Sequence, residues 1–308
     1  MDLVAAAQRI LVVGIGGGGD VVGALAAAEA ARALGTDAVV GGITWERRPV
    51  DPLPGPRRLE EITGAQPLHE AVALASADTI GPGGFRFCEA DMAAFLDEPV
   101  VLVDPNPGPA TIAAGLDAAA AHLACDMVVL LDVGGDVLAH GHEPGLASPL
   151  ADAIVLAAAP RMTTPTLAIV FGIGCDGELT PAEVLERLEE VRTAGGDLGD
   201  LPLPVAALDR VEGALAHVTT EASAMAIRCA RGETGLIPIR GGRRSVPLTA
   251  DGGRLVCFDP LIAIDSAARL AAAVADATDL AHAQATLTAL GVRTELDYET
   301  EAAAASTA

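Results

Sequence analysis

Ile10-Leu11-Val12-Val13-Gly14-Ile15-Gly16-Gly17-Gly18-Gly19-Asp20 joins an apolar run to a glycine turn near the start of the chain. Its first four residues form a continuous apolar run, as expected of a strand buried on both faces of a parallel sheet. Behind it, Val21 to Leu34 is alanine-rich with helical character. A strand, a glycine turn and a helix in that order open a βαβ unit. Gly14, Gly16 and Gly19 match the G-x-G-x-x-G spacing of a dinucleotide loop, but Asp20 follows where a pyrophosphate needs open backbone N–H groups. Gly16, Gly17, Gly18, Gly19 and Asp20 are therefore candidate ligand contacts, with a nucleotide as one possible ligand.

Working outward, further strands are expected at 37–43, 100–104, 127–131 and 167–171, each leaving through a polar or glycine loop. Five such strands predict an α/β fold with a doubly wound, mostly parallel Rossmann-like sheet. Thr180-Pro181-Ala182-Glu183 reads as a capping box, and Ser148-Pro149 as a cap with a first-turn proline. Residues 51–67, rich in Pro, Gly and charge, form a long excursion of the kind that is often functional. Between Gly195 and Pro204 the composition shifts. This divides a Rossmann-like core, 1–195, from a smaller α+β C-terminal region, 196–308, packed on it as one integrated unit. In that region a helix is expected over 221–231, then strand-like pieces at 236–240, 245–248 and 255–259. Two alanine-rich helices and a frayed tail from Glu301 follow.

Composition narrows the chemistry. The chain has 308 residues and a formal charge of −23, from 42 acidic and 19 basic side chains, so nucleic acid and anionic membrane surfaces are poor partners. All the bases are arginine, which removes lysine Schiff bases and the P-loop lysine and leaves arginine, backbone N–H groups or a metal to hold anions. The five cysteines are widely spaced without C-x-x-C, as in a reduced cytoplasmic protein. There is no signal-peptide pattern and no spanning apolar run.

In an open parallel sheet the ligand crevice lies beyond the carboxyl ends of the strands. That rule gathers Asp20, Thr44, Glu46, Arg47, Asp104, Asp132, Asp136, Glu143, Ser148, Asp152, Asp176 and Glu178. So many carboxylates at one rim repel unless a cation joins them, either Mg²⁺ or another divalent ion, or a substrate amine. Asp132, Asp136 and Glu143 are the expected metal ligands, and Asp132, Asp136, Asp176 and Glu178 the expected catalytic residues. Helix capping is the plainer role for Asp20 and Asp176. His140 and His142 could join Asp132 or Asp136 in a mixed imidazole site, or lie in a surface turn. Cys175 is either a nucleophile without an assignable base or a buried thiol. Arg47 and the arginines of Arg240-Gly-Gly-Arg243-Arg244 are the groups best suited to a carboxylate or phosphate. Glu221 and Ser223 sit at a helix start that either caps or faces the ligand.

Seven motifs carry a resemblance. They are Gly-Ile-Gly-Gly-Gly-Gly-Asp-Val-Val-Gly at 14–23, Gly-Gly-Ile-Thr-Trp-Glu-Arg at 41–47, Asp-Val-Gly-Gly-Asp-Val-Leu at 132–138 and Glu-Pro-Gly-Leu-Ala-Ser-Pro-Leu-Ala-Asp at 143–152. Gly-Cys-Asp-Gly-Glu-Leu at 174–179, Arg-Gly-Gly-Arg-Arg at 240–244 and Arg-Thr-Glu-Leu-Asp-Tyr at 293–298 complete the set. Together they resemble domain of unknown function 1152, a family of archaea and actinobacteria. The resemblance implies one family-wide unit from end to end and no particular reaction. It also implies that the carboxylates and glycines recur more reliably than His140 and His142. Asp-Val-Gly-Gly-Asp is also similar to an acidic glycine loop of D-glutamate cyclases.

The expected function is a cytoplasmic enzyme acting on a small zwitterionic or phosphorylated metabolite in an acidic crevice with a divalent cation, as a transferase, lyase or ligase. The alternatives are an NAD(P)- or nucleotide-binding oxidoreductase, a lyase or cyclase acting on an amino acid, and a non-enzymatic metabolite sensor. The second strand ends in Gly41-Gly42-Ile43-Thr44, without the acid that usually takes the ribose hydroxyls, which counts against the oxidoreductase. Self-association into a homo-oligomer belongs to the same expectation.

Overall fold

The computed structural model describes residues 2–48 and 50–307. In chain order the elements are α1 (Asp2–Ala6), β1 (Arg9–Gly14), α2 (Asp20–Ala33), β2 (Asp37–Ile43), β3 (Gln66–His69), β4 (Val72–Ala75), α3 (Cys88–Leu96), β5 (Val100–Val103), α4 (Pro109–His122) and β6 (Met127–Val133). Then come α5 (Pro149–Leu156), β7 (Thr166–Phe171), α6 (Pro181–Thr193), β8 (Asp197–Leu201), α7 (Val205–Ala214), α8 (Glu221–Ala230), β9 (Gly235–Ile239), β10 (Arg244–Leu248) and β11 (Leu255–Phe258). Four helices close the chain: α9 (Pro260–Ser266), α10 (Arg269–Val274), α11 (Leu280–Ala289) and α12 (Glu295–Thr307).

The fold is α/β, built on a nine-stranded mixed sheet in the order β3-β4-β5-β2-β1-β6-β7-β11-β8. The five strands expected from the apolar runs are its parallel centre, β5-β2-β1-β6-β7. Antiparallel strands flank it: β4 on β5, β3 on β4, β11 on β7 and β8 on β11. Along β1 the side chains alternate faces, as a strand requires. Leu11 and Val13 join one hydrophobic cluster with residues of α4, α5, α10 and α11, while Ile10 and Val12 join the other with α2, α3, α7 and α8. The helix that follows β1 and the helix that follows β6 thus pack on opposite faces. Between the adjacent carboxyl ends of β1 and β6 a crevice opens, as the topology of doubly wound sheets requires.

Alanine lets α2 lie close on the sheet. A Cβ added at Gly23 would stand 2.4 Å from Val133 Cγ2 and 2.8 Å from Leu131 Cδ2, so the helix backbone rests directly on β6. Both contacts are core side chains with no room to withdraw, and overpacking of this kind costs about 1–3 kcal/mol. Gly23→Ala is expected to lower the unfolding free energy by that amount, read as a lower urea midpoint at unchanged m value. An unaltered midpoint would show that the helix can slide on the sheet.

Several expectations need correction. Residues 195–204, expected as a boundary, contribute the edge strand β8, whose polar sequence reflects its exposure. Four helices rather than two follow β11, and the tail expected to fray is helical to Thr307. β3, β4 and α3 gave no periodic signal because they are short. Among the described residues no helix is long and apolar enough to cross a membrane.

Candidate functional site

A cavity of about 1010 Å³ lies over the carboxyl ends of β1, β2, β6 and β7. Its walls are the glycine loop 16–20, Glu46 to Arg48, Asp132 to Asp136, the segment 144–148 with Asp152, and Asp176 to Glu178. The C-terminal part of the chain supplies the rest: Thr219 to Ala222, Arg240, Arg243, Arg244, Glu295, Tyr298 and Glu299.

The Asp20 carboxylate has a defined place at the glycine turn. Gly19 is the N-cap of α2 and makes no side-chain capping bond, and the Asp20 carboxylate turns back over the loop instead. Its Oδ2 accepts Gly16 N–H at 3.1 Å and Val133 N–H at 3.3 Å, tying the end of β1 to the end of β6. A Cβ at Gly16 would stand 2.6 Å from that oxygen, so the close approach demands glycine. Gly17, at φ +83, lies under Trp45, whose carbonyl accepts Gly18 N–H at 2.9 Å.

The carboxylates fall into two triads. Ligand oxygens of Asp20, Asp132 and Asp152 lie within 4.8 Å of one another, as do those of Asp136, Asp176 and Glu178. Asp132 Oδ2 accepts Gly135 N–H at 2.7 Å, and Glu178 accepts Ala147 N–H, Ser148 N–H and Ser148 Oγ–H at 2.7, 2.8 and 2.6 Å. Ser148 therefore does not cap α5 with its side chain, as its position suggested; the hydroxyl is spent on Glu178. Asp152 Oδ1 and Asp176 Oδ1 are different. Each is buried with no hydrogen-bond partner among the described residues. Glycine again makes the geometry possible: a Cβ at Gly134, at φ +137, would meet Asp176 Cγ at 2.4 Å.

Burial dominates the electrostatics. It pushes Asp20 up to about 7, against the hydrogen bonds from Gly16 and Val133, and Asp176 up to about 8, with Glu178 adding to the rise. Burial, and then the neighbouring carboxylates, raise Asp132, Asp136 and Asp152 well above the usual carboxylate range. Desolvation of this kind marks sites where a charge or proton is to be handled.

Arg47 is the cation facing the triads. Its Nη2 donates to Gly16 O at 2.7 Å, and ion pairs reach Glu295 at 3.5 Å and Glu299 at 3.6 Å. Burial works against its charge, but Glu295 and Glu299 outweigh it and hold the guanidinium pKa up. Glu299 in turn accepts Trp45 Nε1–H at 3.0 Å and Gly55 N–H at 2.8 Å. Glu295 caps the start of α5 through Leu150 and Ala151 N–H. The α12 contribution was invisible in sequence as a site. The motif 293–298 that holds Glu295 and Tyr298 was its one trace.

Some expected residues lie elsewhere. Asp104 accepts Asn106 N–H and Nδ2–H and Leu59 N–H, ordering its own loop, and Thr44 is buried beneath the site; neither lines the cavity. Glu143 is not brought to Asp132 and Asp136. It accepts His140, Gly141 and His142 N–H and pairs with Arg187 at 3.6 Å, so a metal site of those three residues does not form. The imidazoles are likewise apart from Asp132 and Asp136: His140 Nε2 meets Glu190 at 3.1 Å, and His140, His142 and Glu143 form their own group. Glu46 lines the cavity but also accepts Cys88 N–H at the start of α3. Glu221 accepts Arg240 N–H, positioning the β9–β10 hairpin, and Ser223 Oγ donates to Gly19 O at 3.0 Å beneath the loop. Cys175 is buried 3.8 Å from Cys229 Sγ, and that contact, with burial second, raises it far above a reactive thiol.

With the acidic loops, the Asp-Val-Gly-Gly-Asp turn and the α12 acids on one cavity wall, the family comparison has a structural counterpart. A family model described as protein of unknown function (DUF1152) matches residues 11–303. The chain belongs to this family. The match takes in every residue lining the cavity, from the first glycine loop to Glu299, so the site of this DUF1152 protein lies wholly inside the shared unit. Neither the curated proteins nor the solved structures give a match.

Proposed function

We propose that this DUF1152 protein is a cytoplasmic enzyme that acts on a small zwitterionic or phosphorylated metabolite with the help of a divalent cation. Its catalytic crevice lies at the switch point of a Rossmann-like sheet. The observation that carries this reading is the pair of buried, unpartnered carboxylate oxygens, Asp152 Oδ1 and Asp176 Oδ1, in one cavity that arginines also line. Ionising a carboxyl that is buried without a partner costs several kcal/mol, which is why both groups are raised. A cation in the cavity would offset that cost.

Asp132 and Asp136, on either side of two glycines, would position the cation. Asp176, raised to about 8 by burial, suits a proton-transfer role near neutrality. Glu178 fits that role less well, since its oxygens already accept three hydrogen bonds. Arg47, Arg240, Arg243 and Arg244 would hold the anionic end of the substrate. The two parts of the chain act as one unit in this reading, 1–195 supplying the carboxylates and 196–308 most of the arginines. A nicotinamide dinucleotide is less well supported, because Asp20 already occupies Gly16 N–H at the turn where a pyrophosphate would bind.

A thermal-shift screen of divalent metals and polar metabolites tests the proposal. A ligand present at a hundred times its Kd stabilises by about 2.7 kcal/mol, on the order of 5 °C here. Mg²⁺ or Mn²⁺ should shift the midpoint upward, and a phosphorylated or zwitterionic metabolite should shift it further. Binding of NAD or NADP without any response to metals would favour the oxidoreductase instead.

A further inference from the structure

Building on the cation-assisted reading above, we propose that the crevice holds two divalent cations, one at each acidic triad, and that the substrate is a phosphorylated metabolite. Its phosphoryl oxygens lie between the cations and the guanidinium groups of Arg47 and Arg244.

The two triads are separate binding units. In each, three carboxylate oxygens lie within 4.8 Å of one another. Oxygens at about 2.0–2.6 Å from a shared ion stand up to roughly 5 Å apart, so each triad has the span of a divalent cation's ligand set. Each also carries its own unmet acceptor, Asp152 Oδ1 in one and Asp176 Oδ1 in the other. Those residues are 2% and 5% exposed, so water does not satisfy them in bulk. Backbone donors fix the remaining geometry from several loops: Gly16 and Val133 on Asp20, Gly135 on Asp132, Ala147 and Ser148 on Glu178. A single ammonium group or a single ion leaves one triad uncompensated; two divalent cations serve both.

The arginines lining the same cavity indicate the chemistry of the ligand's other end. Arg47 Nη1 and Arg244 Nη1 are buried donors with no hydrogen-bond acceptor among the described residues. Their nearest carboxylates, Glu299 at 3.6 Å and Glu178 at 3.8 Å, are beyond hydrogen-bonding reach. Two unmet guanidinium donors and two unmet carboxylate acceptors in one cavity call for an oxyanion that meets the donors and a cation that meets the acceptors. A carboxylate has two oxygens and one charge. A phosphoryl group has three terminal oxygens and carries about two charges, enough to contact both cations and both arginines at once. The cavity, about 1010 Å³, leaves room for the remainder of a metabolite.

The test uses the full chain and Mn²⁺ as the metal probe, with inorganic phosphate as the anion probe. Equilibrium dialysis is expected to give two Mn²⁺ per chain, and electron paramagnetic resonance a spin-coupled pair. Asp152→Asn and Asp176→Asn should each lower the stoichiometry to one, with folding checked by circular dichroism. Phosphate should bind at least about 100-fold more tightly with Mn²⁺ than without. Arg47→Gln or Arg244→Gln should weaken phosphate about tenfold or more while both Mn²⁺ ions still bind. One Mn²⁺ per wild-type chain overturns the two-cation assignment but leaves the cation-assisted reading standing, whereas no Mn²⁺ at all removes both. Two Mn²⁺ with phosphate affinity indifferent to metal overturns the phosphorylated substrate.

Discussion

Without divalent metal, the protein is expected to be most stable near pH 5 and to lose on the order of 10 °C in melting temperature by pH 8. The cause is the set of buried carboxyls in the crevice. For Asp20, at about 7, and Asp176, at about 8, the folded-state pKa lies far above the unfolded value of 3.8. Below that value both states are protonated and the groups are neutral to folding. As pH rises past it, the unfolded chain ionises while the folded chain does not, so stability falls until pH passes the folded pKa and is level thereafter. Asp20 alone accounts for about three pH units of this slope, on the order of 4 kcal/mol.

The acid side of the optimum has the opposite sign. Asp117, despite some burial, is held low by the Thr163 and Thr164 donors, and Asp126 is held low by Gln8 and Arg9 N–H. These groups stabilise the fold above their unfolded pKa, and that stability is lost as pH falls through the lowered one. Mg²⁺ should flatten the falling limb above pH 5, since a cation stabilises the ionised carboxylates. Melting curves from pH 3 to 9 with EDTA or with Mg²⁺ measure both effects. A flat profile with EDTA between pH 5 and 8 would mean that the crevice carboxylates ionise freely in the metal-free protein.

Asp132→Asn and Asp136→Asn should each weaken divalent-cation binding by at least about 100-fold, the upper end of what is lost when a residue merely orients a ligand. They should also make the metal-free protein more stable. Asp132 and Asp136 are 1% and 5% exposed, and after burial itself the neighbouring carboxylates are what raise them. Asparagine keeps the shape and hydrogen bonding of the protonated acid without its charge. The gain, about 1–2 kcal/mol in urea unfolding at pH 8, is the trade between stability and function expected of an acidic site. The gain should shrink as pH falls and vanish only below the unfolded value of 3.8, where the carboxyls are protonated in both states. A mutant that is less stable at pH 8 and still binds Mg²⁺ would contradict the assignment of these two residues.

The amino-acid pattern alone specified the parallel centre of the sheet. Strands buried on both faces must be apolar, and the runs Ile10 to Val13, Ala38 to Ile43, Val100 to Val103, Met127 to Leu131 and Leu167 to Phe171 all show that mark. From strand polarity it also determined that Asp20, Arg47, Asp132, Asp136, Asp176 and Glu178 share one rim, because loops at the carboxyl ends of parallel strands converge whatever their separation in the chain. Edge elements were illegible. β8 is polar because it is exposed, and β3 and β4 are too short for a periodicity to rise above composition.

Which carboxylates meet depends on how the helices pack. Glu143 and Asp152 stand nine residues apart on the same segment. Yet Glu143 turns to the backbone of His140 to His142 while Asp152, on the first turns of α5, faces Asp20 and Asp132. The direction of a side chain at a helix start depends on how the helix docks, and α5 docks through Glu295 of α12. The same helix places Glu295 and Glu299 on Arg47, a pairing across about 250 residues of chain. No local pattern encodes a contact of that separation. It arises because packing α12 over α5 buries these acids, and a buried acid needs a donor or a cation.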